Sequence, residues 1–174
     1  PVAQALEQAD GLLEAGDHAS AAGIYGQIIE HEPGNAGATA GMLRCLMELG
    51  DSNEARTMAD GLSDELKGDA SVTAVISALE LAEKTASAGD VDQLRRTVEA
   101  DETDHQARMS LALALFAMDQ REAAIDELIE IIRRDREWNE QAARTQLLQF
   151  FDVMGPTDEV MIAGRRKFSS LMFS

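Results

Sequence analysis

The fold is decided by residues 16–35, which read GDHASAAGIYGQIIEHEPGN. Glycine suits the positive-φ turn that ends a helix, and Asp17 is a good N-cap for the helix that follows. After Ala21 the large apolar side chains recur at intervals of three and four residues, as far as Ile28 and Ile29. This is the spacing of one helix face. The PGN cluster then reverses the chain, so the stretch predicts a turn, a helix and a second turn.

The Gly-Asp pair returns 34 residues later, at Gly50 (50 minus 16), and Ala55 follows Ala21 at the same distance. A period of this length is typical of tetratricopeptide repeats, in which each repeat is a pair of antiparallel helices. The sequence resembles this family most closely in its first repeat, where Tyr25 fills the large position one turn after Ala21 and Pro33 closes the unit. The resemblance implies an all-α fold, a right-handed superhelix of antiparallel helix pairs with about ten helices.

The later repeats follow the pattern less strictly. Gly89 lies 39 residues after Gly50 (89 minus 50), and in the last repeat Asp119 stands where a turn glycine is expected. A tetratricopeptide-like array is predicted at residues 1–136, and capping or docking helices at 137–174 complete the same structural domain. The helices are expected at residues 2–15, 18–31, 35–49, 52–63, 70–88, 90–99, 103–118, 120–134, 138–153 and 159–172.

Charge and composition exclude several classes of partner. The chain carries 32 acidic and 15 basic residues, a net charge of -17. Such a surface repels phosphate backbones and anionic lipid, so neither nucleic acid nor a membrane is expected as a partner. No segment approaches the roughly 20 apolar residues of a membrane span. The single cysteine, Cys45, fits a reducing compartment such as the cytoplasm.

The histidines and the acidic loop do not combine into a catalytic or metal site. His18, His31 and His105 lie far apart without metal-ligand spacing, and we predict that they lie in solvent beside turns. Asp101 and Asp104 are predicted to belong to a solvated loop. No enzyme activity, cofactor or metal is therefore expected of this chain.

The sulfur-containing residues are expected mainly in the core. Cys45 lies on an apolar segment and is predicted to be a small buried filler. Methionines can also form adaptable binding surfaces, because the side chain repacks easily. Core filling is the preferred interpretation for four of them, Met42, Met47, Met109 and Met118.

One known mode of peptide binding is not expected. Some tetratricopeptide domains hold the acidic C-terminal tails of chaperones in a clamp of Lys, Arg and Asn side chains. The matching positions are occupied by Leu6, Asp10 and Gly41. Leu6 and Gly41 offer no side-chain donor, and Asp10 would repel a carboxylate. An acidic groove instead favours basic or apolar segments.

The most specific stretch lies at the C-terminal end, where residues 138–151 read WNEQAARTQLLQFF and residues 164–173 read GRRKFSSLMF. Over essentially its whole length the chain resembles the C-terminal half of the chaperedoxins (CnoX/YbbN-type), bacterial proteins with a thioredoxin domain followed by tetratricopeptide repeats. The resemblance implies a protein that holds unfolded or oxidised clients and passes them to a chaperonin. It places the thiol chemistry of the thioredoxin domain outside these residues.

The resemblance also implies that the last helix docks on the chaperonin. An amphipathic helix with three cations and an apolar end can lie in a partner's groove. The residues that would bind the partner are Arg165, Arg166, Phe168, Leu171, Met172 and Phe173. Two alternatives stay open: Phe168, Leu171 and Met172 fold back and cap the array, or the chain is a generic scaffold in another assembly. The oligomeric state and the identity of the clients also stay open.

Overall fold

A computed structural model describes all residues from 1 to 174 and contains eleven α-helices and no strand. The predicted all-α class is confirmed, and consecutive helices joined by short turns pack as antiparallel pairs. The helices are α1 (Val2–Glu14), α2 (His18–His31), α3 (Ala36–Glu48), α4 (Ser52–Asp60), α5 (Asp64–Gly68), α6 (Ala70–Ala86), α7 (Val91–Ala100), α8 (His105–Ala117), α9 (Arg121–Arg134), α10 (Trp138–Met154) and α11 (Glu159–Met172).

Short polar side chains fix the starts of five long helices. At α2, the carboxylate of Asp17 accepts a hydrogen bond from the backbone N–H of Ser20 at 3.2 Å. Such a cap satisfies one of the free N–H groups of the first turn. The same role at α2, α3, α7, α8 and α11 is filled by Asp17, Asn35, Asp90, Asp104 and Asp158.

Residues with positive φ form the turns between paired helices. Gly16, Gly50 and Gly89 have φ angles of 84°, 83° and 104°, which confirms the predicted turn glycines. Asp119 has a φ of 60°, so it fills the same backbone role although it carries a Cβ atom. Asp is among the residues that tolerate this region best after glycine.

Helix α5 is the element that the sequence pattern does not predict. It lies where a loop is expected, and it begins at Ser63, whose hydroxyl accepts a hydrogen bond from the N–H of Leu66 at 3.3 Å. Five residues are too few to show a helical period. The insertion also explains the irregular repeat, because the spacing from Gly50 to Gly89 exceeds 34 by five residues (39 minus 34) and α5 contains five.

The helices form two compact units, Pro1–Leu79 and Glu80–Ser174, which we call the N-terminal and the C-terminal unit. Helix α6 contributes residues to both. The N-terminal unit has one core cluster around Tyr25 and another around Leu43. The C-terminal unit has a single larger core, whose fully buried members include Leu128 and Phe150. The predicted division at residue 136 stays a prediction.

The small residues at the helix crossings are fully buried. Ala21, Ala55 and Ala124 each have no exposed surface, which allows two helix backbones to approach closely. Cys45 is also buried, and burial raises the pKa of its thiol. This confirms the prediction that Cys45 fills the core.

Three predictions about burial are wrong. Met118, assigned to the core, is 60% exposed because it is the C-cap of α8 and lies beyond the last packed turn. His18 and His105, expected in solvent, are half-buried, and their Nδ1 atoms are buried without a hydrogen-bond partner. His31 is exposed as predicted. The other three methionines pack in the cores: Met42 and Met47 partly, Met109 with 9% exposed.

Candidate partner-binding surface

The sequence fixes the position of helix α11 at its start. Gly155 has a φ of 88° and ends α10, and Pro156 follows in the turn. Asp158 then caps α11 by accepting a hydrogen bond from the N–H of Met161 at 3.0 Å. Glycine, proline and an N-cap therefore set where α10 ends and where α11 begins.

One face of α11 is packed against the C-terminal core. Gly164 is buried, and a Cβ atom at this position would lie 3.0 Å from Cε1 of Phe151 and 3.2 Å from two carbons of Ile125. The absence of a side chain thus lets α11 approach α9 and α10. Three of the predicted partner-binding residues also face this core and are half-buried, namely Phe168, Leu171 and Met172.

Polar contacts reinforce the attachment of α11. The ammonium of Lys167 lies 2.8 Å from Oδ1 of Asp126 and 3.8 Å from Oε1 of Glu122, both on α9. The hydrogen bond to Asp126 raises the pKa of Lys167. Arg136 donates a hydrogen bond to the carbonyl of Leu171 at 2.9 Å, where the last carbonyls of a helix lack partners. The helix is therefore held along its length and at its C-terminal end.

The opposite face of α11 is open to solvent. Arg165 and Arg166 are exposed and form no ion pair or hydrogen bond. Ile162 is 38% exposed and Phe173 is 91% exposed. We call these four residues, Ile162, Arg165, Arg166 and Phe173, the outer face of α11. An open hollow of about 570 Å³ borders its first three members.

Sequence reasoning misses Ile162 as a member of this surface. The signal was present, because Ile162 precedes Arg165 and Arg166 by three and four residues and so shares their helix face. The six predicted residues divide into two groups. Arg165, Arg166 and Phe173 are available to a partner, and the other three contribute to the core.

The head of α10 differs from the predicted plain helix. Asn139, Glu140 and Gln141 have φ angles of 46°, 56° and 62°, so regular right-handed helix begins only after this left-handed turn. Asn adopts this conformation readily, but Glu and Gln do not. Trp138, just before the turn, packs edge-on against His105 with ring centroids 5.8 Å apart. This contact explains why His105 is half-buried.

A buried ion pair in the C-terminal unit was also not predicted. Arg108 on α8 is 7% exposed, and its Nη1 atom lies 2.8 Å from Oε2 of Glu127 on α9. Its Nη2 atom donates to the carbonyl of Glu102 at 3.3 Å. These contacts join α8 to α9 and to the loop before α8, so we assign them a structural role.

Sequence models of tetratricopeptide repeats match residues 12–79 and 84–173. The chain belongs to the tetratricopeptide repeat family. Members of this family are protein-binding scaffolds built from stacked helix pairs. The matches cover both units and agree with the helix pairs and turn glycines described above.

The relatives of this tetratricopeptide repeat protein are themselves uncharacterized. Proteins of Mycobacterium bovis and Mycobacterium tuberculosis are 25% identical to it over 172 residues, which is 97% of this chain but 44% of each relative. The chain thus spans less than half the length of the curated relatives it matches. A solved domain of unknown function from Vibrio parahaemolyticus is 20% identical and aligns with a TM-score of 0.46 over 96% of this chain and 97% of that one.

The clamp positions of this tetratricopeptide repeat protein are built differently from a carboxylate clamp. Leu6 is half-buried, and Gly41 is buried beneath the ring of Tyr25. The Tyr25 hydroxyl donates a hydrogen bond to Oδ1 of Asp10 at 2.5 Å. Burial, followed by this hydrogen bond, raises the pKa of Tyr25 far above its usual range. The position of the clamp therefore presents a fixed carboxylate.

Two further searches of the structure gave no site. No group of three or more His, Cys, Asp or Glu side chains is placed to hold a metal ion. None of the helices has the length and apolar content needed to cross a membrane. The arrangement offers surfaces for binding other proteins, with the outer face of α11 as the clearest of the predicted ones.

Proposed function

We propose that this tetratricopeptide repeat protein holds unfolded client proteins and docks on a chaperonin through the outer face of α11. In this proposal it is the partner-binding half of a thioredoxin-linked chaperone of the bacterial cytoplasm. It makes and breaks no bond itself and needs no cofactor. The observation that carries the proposal is a helix with one face fixed to the core and the other offering two unpaired arginines beside exposed Ile162 and Phe173.

The fixed inner face favours docking by α11, because a partner would meet a helix that is already ordered. Binding then avoids the entropy cost of folding a flexible tail. Arginine and aromatic side chains are also the types most often found at energetic centres of interfaces. Capping and docking are therefore compatible, since Phe168, Leu171 and Met172 serve the cap while Arg165, Arg166 and Phe173 serve the partner.

The length of the curated relatives is compatible with a second domain. More than half of each relative lies outside the matched region. This remainder is large enough for a further domain of ordinary size, such as the thioredoxin domain that the resemblance implies. A generic scaffold that joins two other proteins remains the competing proposal, and the experiments below separate the two.

Binding to a purified bacterial chaperonin tests the docking step. We expect Arg165→Ala combined with Arg166→Ala, and separately Phe173→Ala, each to weaken binding about tenfold or more. The matched controls are Arg95→Ala with Arg96→Ala, two exposed neighbouring cations on α7, and Met118→Ala. These controls leave affinity unchanged if α11 is the docking helix. Equal effects of both arginine pairs, or no binding by the unaltered protein, would sink the proposal.

Point variants are preferable to truncation at this site. A chain cut after Gly164 would also lose Lys167 with its ion pairs to α9 and the core contacts of Phe168, Leu171 and Met172. A second assay measures whether the protein suppresses aggregation of a heat-unfolded test enzyme. Suppression is expected of a holdase, and its absence would favour the generic scaffold.

A further inference from the structure

One edge of α1 combines apolar and acidic side chains. Leu6 and Leu13 are half-buried there, and Glu7, Asp10 and Glu14 are exposed. The spacing of three, four and seven residues places these side chains along one side of the helix. We call these five residues the α1 edge. It has the composition of a surface that contacts an amphipathic partner.

The central carboxylate of the α1 edge is held in place. The hydroxyl of Tyr25 donates to Oδ1 of Asp10, and the Tyr25 ring is fully buried. Asp10 is therefore oriented by a rigid group, and its second oxygen remains available. No Lys or Arg lies within ion-pair distance of Glu7, Asp10 or Glu14. The negative charge of this edge is thus unbalanced locally.

Helix α3 lies beside the α1 edge and leaves it accessible. A Cβ atom at Gly37 would lie 3.2 Å from Cδ2 of Leu6, and Gly41 adjoins the Tyr25 ring. The small residues keep α3 from covering Leu6 and Asp10. Arg44, also on α3, acts electrostatically on Tyr25. It is the first basic residue of the chain, and it is exposed.

The charge of the whole N-terminal unit points in the same direction. Residues 1–79 contain 13 acidic and 3 basic side chains, a formal charge of -10 (3 minus 13). Such a unit attracts cationic segments and repels anionic ones at long range. Charge complementarity therefore selects among the occupants that an amphipathic edge would accept.

We infer that the α1 edge docks a basic amphipathic peptide segment of a partner protein. The apolar side chains of the segment pack on Leu6 and Leu13, and a Lys or Arg side chain pairs with Asp10 and Glu14. Glu7 extends the acidic surface by one turn. This inference goes beyond the proposed function, because it names a second surface and the chemistry of its ligand. It does not depend on α11 or on a chaperonin.

Fluorescence anisotropy with three synthetic peptides tests the inference on the full-length chain. The first peptide carries Lys and Leu at helical spacing over about four turns. The second replaces every Lys with Glu, and the third replaces every Lys with Gln. We expect the Lys peptide to bind, the Gln peptide to bind about tenfold more weakly, and the Glu peptide not to bind. Affinity for the Lys peptide should fall as salt is raised.

Two variants with opposite expected effects locate the binding surface. Asp10→Asn keeps the size of the side chain but removes its charge, and we expect the dissociation constant of the Lys peptide to rise about fivefold. Arg44→Gln removes the neighbouring competing cation, and the dissociation constant should fall about twofold. Glu30→Gln on α2 is the matched control: Glu30 is exposed, the change in net charge equals that of Asp10→Asn, and affinity should hold within about twofold.

Three outcomes would overturn the inference. The first is a Glu or Gln peptide that binds as tightly as the Lys peptide, and the second is equal effects of Asp10→Asn and Glu30→Gln. The third is the absence of any binding of the Lys peptide at low salt. Circular dichroism confirms that each variant is folded. Arg165→Ala with Arg166→Ala should leave peptide affinity unchanged, so failure here is distinguishable from failure of α11 to dock.

Discussion

At the scale of single residues, the N-terminal core depends on the missing side chain of Gly41. A Cβ atom there would overlap the Cζ, Cε1 and Cε2 atoms of the Tyr25 ring. The ring is fully buried and its hydroxyl is held by Asp10, so it cannot move aside without loss of packing. We expect Gly41→Ala to lower the free energy of unfolding by about 1–3 kcal/mol, measured by urea denaturation followed by circular dichroism.

Gly23→Ala is the control for this substitution. Gly23 lies inside α2, and nothing lies within 4 Å of a Cβ atom placed there. Alanine in an open helix interior is favoured over glycine by up to about 1 kcal/mol. The control should therefore stabilise the protein. If both variants stabilised it, the close approach of Gly41 to Tyr25 would have no energetic weight.

At the scale of helices, sequence predicts the ends well because local chemistry sets them. Asp17 and Asp158 are caps where the sequence places them, and Asp119 takes the positive φ expected of a turn glycine. The failures concern other features. Helix α5 is shorter than its own signal, and the contact between His105 and Trp138 joins residues 33 positions apart (138 minus 105). No local pattern reveals such a contact.

The site was predicted to a similar depth. The amphipathic pattern of the last helix identified Arg165, Arg166 and Phe173, all of which are exposed. It could not separate them from Phe168 and Leu171, since the division between core and solvent depends on where α9 and α10 pack. The close approach at Gly164, which fixes that packing, needs neighbours from α9 and α10.

Helix α9 carries a carboxylate that makes stability depend on pH. Glu130 lies 2.8 Å from a nitrogen of Arg133 and 2.8 Å from Nε of Arg134. The hydrogen bond from Arg134 is the main cause that lowers the pKa of Glu130 below its ordinary value of 4.5. The unfolded chain therefore binds the proton more tightly than the folded one. The stabilising contribution is present above pH 4.5 and is lost as pH falls through the folded-state pKa.

Substitution of Glu130 isolates this contribution from the other carboxylates. We expect Glu130→Gln to be less stable than the unaltered protein at pH 7, by on the order of 1 kcal/mol. The difference should shrink as pH falls from 5 to 3, because glutamine does not titrate. Urea denaturation at each pH gives both curves. Glu99→Gln, an exposed site on α7, should follow the unaltered protein, and coincident pH slopes for all three would contradict the assignment.

At the scale of the whole molecule, each unit has a core made of its own residues. Tyr25 and Leu43 belong to clusters within residues 1–79, and Leu128 and Phe150 belong to the cluster within residues 80–174. In repeat proteins, stability is approximately a sum of local terms rather than a single global one. A packing defect should therefore weaken the unit that contains it more than the other unit.

Hydrogen exchange followed by mass spectrometry tests this expectation on the intact chain. Gly41→Ala should reduce amide protection mainly in α1 to α3. Gly164→Ala, which brings a Cβ atom to 3.0 Å from Phe151 and 3.2 Å from Ile125, should reduce it mainly in α9 to α11. Local opening exposes amides without global unfolding, so the two variants should give complementary maps. Equal loss of protection across both units in each variant would instead show that the chain opens as one cooperative body.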